Sequence, residues 1–329
     1  MARFQQGRRY SVSRLGTRKA FTLIELLIVI AIIGLLMSIL VPALSGARRI
    51  AKSTVCATRL RTLGQGLVLY ANAHNDDLVP GRLPKIDDDH WRIRVEGGIK
   101  YRPTFLTMMA SQVGLPPFDD PQPSKTSIDT YGQPGDRQNY SNEQYICPQV
   151  PDWTDERNGC YGYNYQFLGN ARLWDKNDLT SYKNWPVKSS SVRSPARCVA
   201  VADCVGTAAS FPRHKRGPYE DNLPGDSKSG RTVNAMGNEG FNLDPPRVDP
   251  ERGEMAWLKG GADNARSALH ERHGGKGNVL WVDGRCSGET LESLGYKVRD
   301  DGLVDLDGDN HLFSIRYENE AWTDLRREE

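Results

Sequence analysis

The chain has 329 residues, of which 38% are hydrophobic and 26% charged, a composition typical of globular proteins. Its 43 basic and 41 acidic residues give a net charge of +2, but six of the basic residues lie within residues 1–20, which contain no acidic residue. The rest of the chain therefore carries 37 basic and 41 acidic residues, a net charge of −4, which argues against a nucleic-acid-binding surface.

The first predicted element is an apolar stretch over residues 21–47 that contains a single formal charge, Glu25. About 20 apolar residues at 1.5 Å each cover the roughly 30 Å of a bilayer's hydrocarbon core, so this stretch is long enough to span a membrane. The basic residues before it predict a cytoplasmic N-terminus, with the remainder of the chain periplasmic or extracellular. Placing an ionised carboxylate within such a segment is unfavourable in free energy unless a positively charged partner neutralises it.

Three interpretations of this stretch differ in how they treat the carboxylate. A secretory signal peptide cut within residues 43–47 is disfavoured, because the stretch exceeds the roughly 7–15 apolar residues of such peptides. A plain single-pass anchor explains the length and leaves Glu25 unpaired. Cleavage between Ala20 and Phe21 would instead create a new α-amine, which could neutralise Glu25 of a neighbouring copy in a stack of helices.

The sequence KAFTLIE at residues 19–25 resembles the prepilin-peptidase site of type IV pilins and type II secretion pseudopilins. This resemblance implies removal of the basic leader, N-methylation of Phe21, and a role in subunit assembly for the glutamate at the fifth mature position. It further implies that Gly34 and Pro42 shape the packing helix. Ala20 departs from the glycine that the family nearly always has before the cleavage site.

The resemblance implies a structural subunit rather than an enzyme. A prepilin peptidase would process the single-pass inner-membrane precursor, and an inner-membrane assembly platform would add it to other pilin or pseudopilin subunits. The product would be a type II secretion pseudopilus or a type IV pilus-like fibre. The alternative is a membrane-anchored periplasmic ligand-binding protein or enzyme that uses this segment only as an anchor.

Apolar residues continue at helical spacing beyond the apolar stretch, which predicts one long helix over residues 21–74, bent at Pro42 and ended by NAHNDDLVP at residues 72–80. The predicted fold is α+β, with this helix packed on an antiparallel β-sheet head that carries large loop insertions. The predicted domains are a basic leader, a transmembrane and assembly helix and a globular head, at residues 1–20, 21–75 and 76–329. In the head we predict a helix at residues 104–113, strands at 198–202, 278–282 and 311–317, and a surface insertion at 212–265.

His273 is followed, after nine residues, by Asp283 and Gly284, and the β-prone residues 278–282 lie between them. This pattern resembles the C-terminal signature of a planctomycete-type subgroup of prepilin-like proteins. Asp-Gly is a strong turn signal, so one interpretation is that His273 and Asp283 bond across the ends of a hairpin. The other is that they share a metal or ligand site.

Asp305, Asp307 and Asp309 place carboxylates at alternate positions of a short acidic segment. Oxygen ligands of this kind suit Ca²⁺, and major pseudopilins are known for a calcium site in a C-terminal loop. A solvated acidic turn is the alternative. Calcium is the one cofactor that the sequence suggests.

The six cysteines are consistent with an oxidising compartment. Short sequence separations favour the disulfides Cys147–Cys160 and Cys198–Cys204, and the two remaining cysteines would form a third pair. The alternative is that some cysteines are small buried apolar residues.

No catalytic motif stands out, since the histidines of HERH at residues 270–273 are too close together for a zinc-protease HExxH helix. Aromatic residues cluster at residues 161–185. Core packing is the favoured interpretation of this cluster, and a carbohydrate- or partner-binding surface is the alternative.

Overall fold

The computed structural model of the chain describes residues 21–81, 92–95, 98–101, 104–116, 140, 142–150, 160–169, 187–204, 206, 242–248, 267–300, 304–305 and 307–320. The chain forms two compact units, one ending at Arg48 and the other beginning at Arg49. Residues 1–20, the predicted leader, lie outside the described residues.

Helix α1 (Leu23–Ala73) confirms the long helix predicted from the sequence and includes Pro42. In the N-terminal unit its apolar side chains are exposed, as illustrated by Leu36 at 62%. The helix is long and apolar enough to cross a membrane, and its place near the N-terminus fits a single-pass anchor. The bend at Pro42 stays a prediction.

The end of α1 confirms the predicted helix stop. Asn75 and Asp76 have positive φ angles of 53° and 68°, and the Asp76 backbone N–H donates to the Ala71 carbonyl oxygen over 2.8 Å. Left-handed residues of this kind close a helix by satisfying its last carbonyl groups, and asparagine and aspartate adopt them more readily than most residues.

The second unit contains a four-stranded antiparallel sheet and confirms the α+β fold class. The elements that follow α1 are β1 (Arg92–Val95), β2 (Gly98–Tyr101), α2 (Phe105–Val113), β3 (Tyr161–Tyr163), α3 (Tyr165–Leu168), β4 (Val199–Asp203), β5 (Gly277–Trp281) and β6 (Cys286–Glu289). The order of strands in the four-stranded sheet is β3-β4-β5-β6, and a separate two-stranded sheet pairs β1 with β2.

The part of α1 within the second unit packs against the sheet through a buried apolar stripe. Leu60, Leu63 and Leu67 are buried in the same core cluster as Leu280 of β5. Gly64 permits the close approach, since a Cβ there would come within 2.9 Å of Leu280 Cδ1. Burial of each leucine contributes about 1.5–3 kcal/mol, so this stripe fixes the face that the helix presents to the sheet.

Three predicted elements of the head are confirmed, and one is wrong. Helix 104–113 corresponds to α2, and strands 198–202 and 278–282 correspond to β4 and β5. Residues 311–317 form turns instead of a strand: the backbone N–H groups of Phe313 and Ser314 both donate to the Asn310 carbonyl oxygen. The buried Asn310 side chain bonds the backbone of Arg247, which fixes this turn and inserts Phe313 into the core.

The aromatic cluster packs in the core wherever the structure describes it. Tyr161, Tyr163, Tyr165 and Phe167 are all buried. The later members of the cluster, and most of the insertion predicted at residues 212–265, lie outside the described residues.

Two glycines with nearly equal φ angles provide a matched test of packing. Gly295 (φ 91°) lies so close to Asp309 that an added Cβ would be 2.2 Å from its carbonyl oxygen, whereas a Cβ on Gly284 (φ 87°) would meet no atom within 4 Å. We expect Gly284→Ala to lower the free energy of unfolding by about 1–2 kcal/mol through φ strain alone. Gly295→Ala should lower the free energy of unfolding by about 1–3 kcal/mol more than Gly284→Ala does, because the added methyl group overpacks the site.

Urea unfolding of the two full-length variants in detergent would measure this difference. Equal losses of stability for the two glycine variants would contradict the close approach of Gly295 to Asp309.

Candidate functional site

The N-terminal candidate site begins with a reciprocal capping arrangement at the start of α1. The Thr22 backbone N–H and hydroxyl donate to Glu25 Oε2 over 2.9 and 2.7 Å, and the Glu25 N–H donates to Thr22 Oγ1 over 3.3 Å. This is a capping box, in which the N-cap residue and the residue three positions later satisfy one another's backbone donors. Glu25 therefore has a partner within its own chain, which the sequence interpretation did not foresee.

The residues predicted to act in assembly lie on an open surface that begins just before α1 and continues along its N-terminal part. Phe21 is 74% exposed, and a Cβ added to Gly34 would have no neighbour within 4 Å. Ala20, on the other side of the predicted cleavage point, lies outside the described residues. Within residues 21–48, this surface can accept other apolar helices or lipid.

A second candidate site lies within the second unit, where distant parts of the sequence bring ionisable groups together in the interior. Cys56 comes from α1, Cys147 follows a short 3-10 turn, Asp203 ends β4, and Arg272 and His273 precede β5. The side chains of Arg272, His273 and Asp203 are only 3%, 2% and 0% exposed. A buried cluster of opposite charges of this kind is stable only when its groups pair with one another.

Asp203 is the anion around which this cluster is arranged. Its Oδ1 accepts from Arg272 Nη2 at 2.5 Å, and its Oδ2 accepts from the Asn278 backbone N–H at 2.7 Å and lies 3.0 Å from His273 Nε2. Burial opposes ionisation of the carboxyl, but the Arg272 charge and the bonds to His273 and Asn278 outweigh it and lower the pKa of Asp203 to about 2. The carboxylate is therefore ionised at physiological pH.

Arg272 also holds the ends of two strands together. Its Nη2 donates to the Cys160 carbonyl oxygen over 2.6 Å, and its Nη1 donates to the Cys204 carbonyl oxygen over 3.2 Å. One guanidinium thus joins the segment before β3, the end of β4 and the Asp203 carboxylate.

Cys147 and His273 form a thiol–imidazole contact beside this ion pair. Cys147 Sγ lies 3.5 Å from His273 Nε2 and accepts from the Gln149 backbone N–H over 3.4 Å. Burial opposes ionisation, but bonding to Cys56, the charge of Arg272 and the bond to His273 lower the pKa of the Cys147 thiol to about 5. Burial likewise disfavours the imidazolium, yet Asp203 and Cys147 raise the pKa of His273 to about 9.

Cys56 completes the cluster from the helix side. Its Sγ donates to Asp203 Oδ1 over 3.3 Å and lies 3.5 Å from the Tyr161 hydroxyl. Burial and the adjacent Cys147 and Asp203 charges raise the pKa of the Cys56 thiol well above its ordinary range. In the absence of a metal ion, Cys56 therefore stays a neutral donor facing an anionic neighbour.

The interpretation that joins His273 to Asp283 is wrong. His273 turns inward to Asp203, whereas Asp283 Oδ1 accepts from the Arg285 backbone N–H within the β5–β6 turn. β5 separates the two residues by about 17 Å of extended chain, so they lie at opposite ends of one strand. The Asp-Gly turn itself is confirmed, with Gly284 at φ 87° donating its N–H to the Trp281 carbonyl oxygen.

The three aspartates predicted to bind calcium do not converge within the part of the chain that the structure describes. Asp307 pairs with Lys297 at 2.9 Å, and Asp309 accepts from the backbone and ring of His311. The backbone N–H of Asp305 bonds to the carbonyl oxygen of Lys297. These exposed contacts fit the solvated acidic turn, and the calcium site stays a prediction.

The predicted disulfides are not formed, and all six cysteines are free thiols. Cys198 and Cys204 flank the extended strand β4, which separates them by about 20 Å, far beyond the reach of a disulfide. Cys160 lies beside Cys147, but its Sγ accepts from the Cys147 backbone N–H over 2.7 Å. For Cys198 and Cys204, the short sequence separation misled because the residues between them form an extended strand.

The sequence interpretation missed the roles of Asp203 and Arg272 altogether. A usable signal existed for each: Asp203 is the single charge directly after the apolar run at residues 198–202, and Arg272 immediately precedes the histidine of the signature. Their pairing across 69 residues depends on the antiparallel neighbours β4 and β5, which local patterns do not reveal.

Comparison with known proteins adds one finding to this geometry. Residues 16–41 match a family model described as the prokaryotic N-terminal methylation motif. The match covers the end of the predicted leader and the first turns of α1, and it supports a relation to the type IV pilin-like family. No curated protein and no solved structure gives a significant match to the chain.

Proposed function

We propose that this protein is a prepilin-like structural subunit that a prepilin peptidase cleaves between Ala20 and Phe21 and methylates at Phe21. The observation that carries the proposal is the methylation motif at residues 16–41, which includes this peptide bond. The apolar, solvent-exposed start of α1 supports it, because such a surface requires lipid or other apolar helices around it.

Assembly would proceed through the exposed part of α1. After cleavage, the α-amine of Phe21 in one subunit would approach Glu25 of a neighbour, and the pairing of the two charges would fix the axial register of the helices. The capping box supports this step, since it holds the Glu25 carboxylate at the helix start next to the new terminus. Gly34 and Pro42 would shape the packing of helices along the fibre.

The proposed domain organisation follows from the same mechanism. Residues 1–20 form the cytoplasmic leader, residues 21–75 the transmembrane and assembly helix, and residues 76–329 the periplasmic or extracellular head. An inner-membrane assembly platform would extrude the subunits into a pseudopilus or pilus-like fibre. The protein would thus have a mechanical function, with no enzymatic step of its own.

N-terminal mass analysis of the protein extracted from membranes tests this proposal. We expect a mature chain that begins with N-methylated Phe21. Ala20→Leu should block cleavage, because it places a bulky side chain next to the scissile bond, whereas Thr17→Leu makes a similar change upstream and should leave processing intact. A chain that begins at Met1, or a cut within residues 43–47, would contradict the proposal.

A further inference from the structure

We propose that Cys56, Cys147, Asp203 and His273 form a structural Zn²⁺ site in the interior of the second unit. One donor atom from each of the four side chains lies within 4.8 Å of the other three. The four residues come from separate parts of the chain, so their convergence is a product of the tertiary fold. This inference is independent of the proposed role in fibre assembly.

The donor set selects the type of metal. Two sulfurs, one imidazole nitrogen and one carboxylate oxygen suit a tetrahedral Zn²⁺ ion, whereas Ca²⁺ and Mg²⁺ require sets composed of oxygen. Zinc–ligand bonds of about 2.0–2.3 Å imply ligand–ligand separations of roughly 3.3–3.8 Å. The separations of 3.5 Å from His273 Nε2 to Cys147 Sγ and 3.3 Å from Cys56 Sγ to Asp203 Oδ1 lie within this range.

Outer contacts orient the histidine and the two cysteines among the proposed ligands, as they do in established zinc sites. The ring Nδ1 of His273 donates to the side-chain oxygen of Gln149, which leaves Nε2 to face the other three donors. The Gln149 backbone N–H also donates to Cys147 Sγ. The Tyr161 hydroxyl contacts Cys56 Sγ.

The formal charges of the proposed site balance. Two thiolates and the Asp203 carboxylate supply three negative charges, and Zn²⁺ with the Arg272 guanidinium supplies three positive ones. His273 is neutral in this count because a ring nitrogen must release its proton to bind the metal. Neutrality matters because the cluster is buried, where an uncompensated charge is expensive.

The closed environment indicates a structural site rather than a catalytic one. Cys56 and Asp203 are fully buried and Cys147 is 1% exposed, so no open coordination position faces solvent. A bound ion would attach α1 to the end of β4 and to the turn before β5 within the second unit. Zinc binding would then contribute directly to the folding of this unit.

Metal analysis of the full-length protein, purified in detergent under reducing conditions without chelator, tests the proposal. We expect about one zinc per chain by elemental analysis. After the zinc is replaced by cobalt, we expect the thiolate-to-metal charge-transfer and visible bands of tetrahedral Co²⁺. The cobalt spectrum is recorded on the unmodified protein, so it does not depend on the folding of any variant.

Matched cysteine variants assign the ligands. Cys147→Ala and Cys198→Ala each remove a thiol that is 1% exposed, so the cavities they create are comparable. Cys147→Ala and His273→Ala should lose the metal, whereas Cys198→Ala should retain it.

Two results would overturn the zinc site. One is the failure of reduced, unmodified protein to bind zinc or cobalt. The other is a thiol count and peptide map that show Cys56 and Cys147 joined in a disulfide, with no metal present.

Discussion

Arg272→Leu should lower the free energy of unfolding of the reduced, metal-free protein by about 3–5 kcal/mol. The substitution leaves the Asp203 carboxylate buried without its cation. Removing one partner of a buried ion pair is strongly destabilising because the remaining charge is uncompensated. It also removes the Arg272 bonds to the carbonyl oxygens of Cys160 and Cys204, although the Cys160 oxygen keeps its bond from the Cys204 backbone N–H. Urea unfolding followed by intrinsic fluorescence measures the loss.

Arg193→Leu is the matched control for this experiment. Arg193 pairs with Glu318 at 3.3 Å, but the two side chains are 67% and 55% exposed. Such a surface pair contributes only about 0–1 kcal/mol, so the control should unfold close to the wild-type denaturant midpoint. Similar losses for the two arginine variants would show that burial does not set the strength of the Arg272–Asp203 pair.

Glu25→Gln should allow maturation and abolish fibre assembly. The capping box needs only an acceptor at this position, and glutamine provides one, so the start of α1 should be preserved. The carboxylate charge that would neutralise the new amine of a neighbouring subunit is lost. N-terminal mass analysis measures maturation. Electron microscopy of fibres sheared from the surface of cells that overexpress the protein measures assembly.

Thr22→Ala provides the complementary control. It removes the hydroxyl that bonds to both the carboxylate and the backbone N–H of Glu25, but it keeps the negative charge. We expect this variant to mature and to assemble. If cells that make Glu25→Gln form the same fibres as cells that make the unmodified protein, Glu25 has no part in assembly. That result would favour the interpretation of the segment as a plain membrane anchor.

Secondary structure was predicted best for segments whose pattern of apolar residues depends only on neighbours in the sequence. The spacing of apolar residues continues almost to Ala73, and the β-prone runs that became β4 and β5 end at clear turn signals. The run at residues 311–317 failed because its apolar residues are buried from a turn held by Asn310, a contact distant in sequence. Glu25 was identified as important, yet its capping partner, Thr22, was overlooked although the capping box is a local pattern.

By itself, the sequence determined the character of residues 1–47: a basic N-terminal segment, then an apolar helix with a single acid, Glu25, beside the predicted processing site. These features depend on residues close together in the chain, so composition and spacing reveal them. Only the tertiary structure brought Cys56, Cys147, Asp203 and His273 together, because the pairing of β4 with β5 and the packing of α1 bring distant segments into contact. A buried charge is stable only when an opposite charge or hydrogen-bonding group lies next to it, and the tertiary fold determines which groups are adjacent.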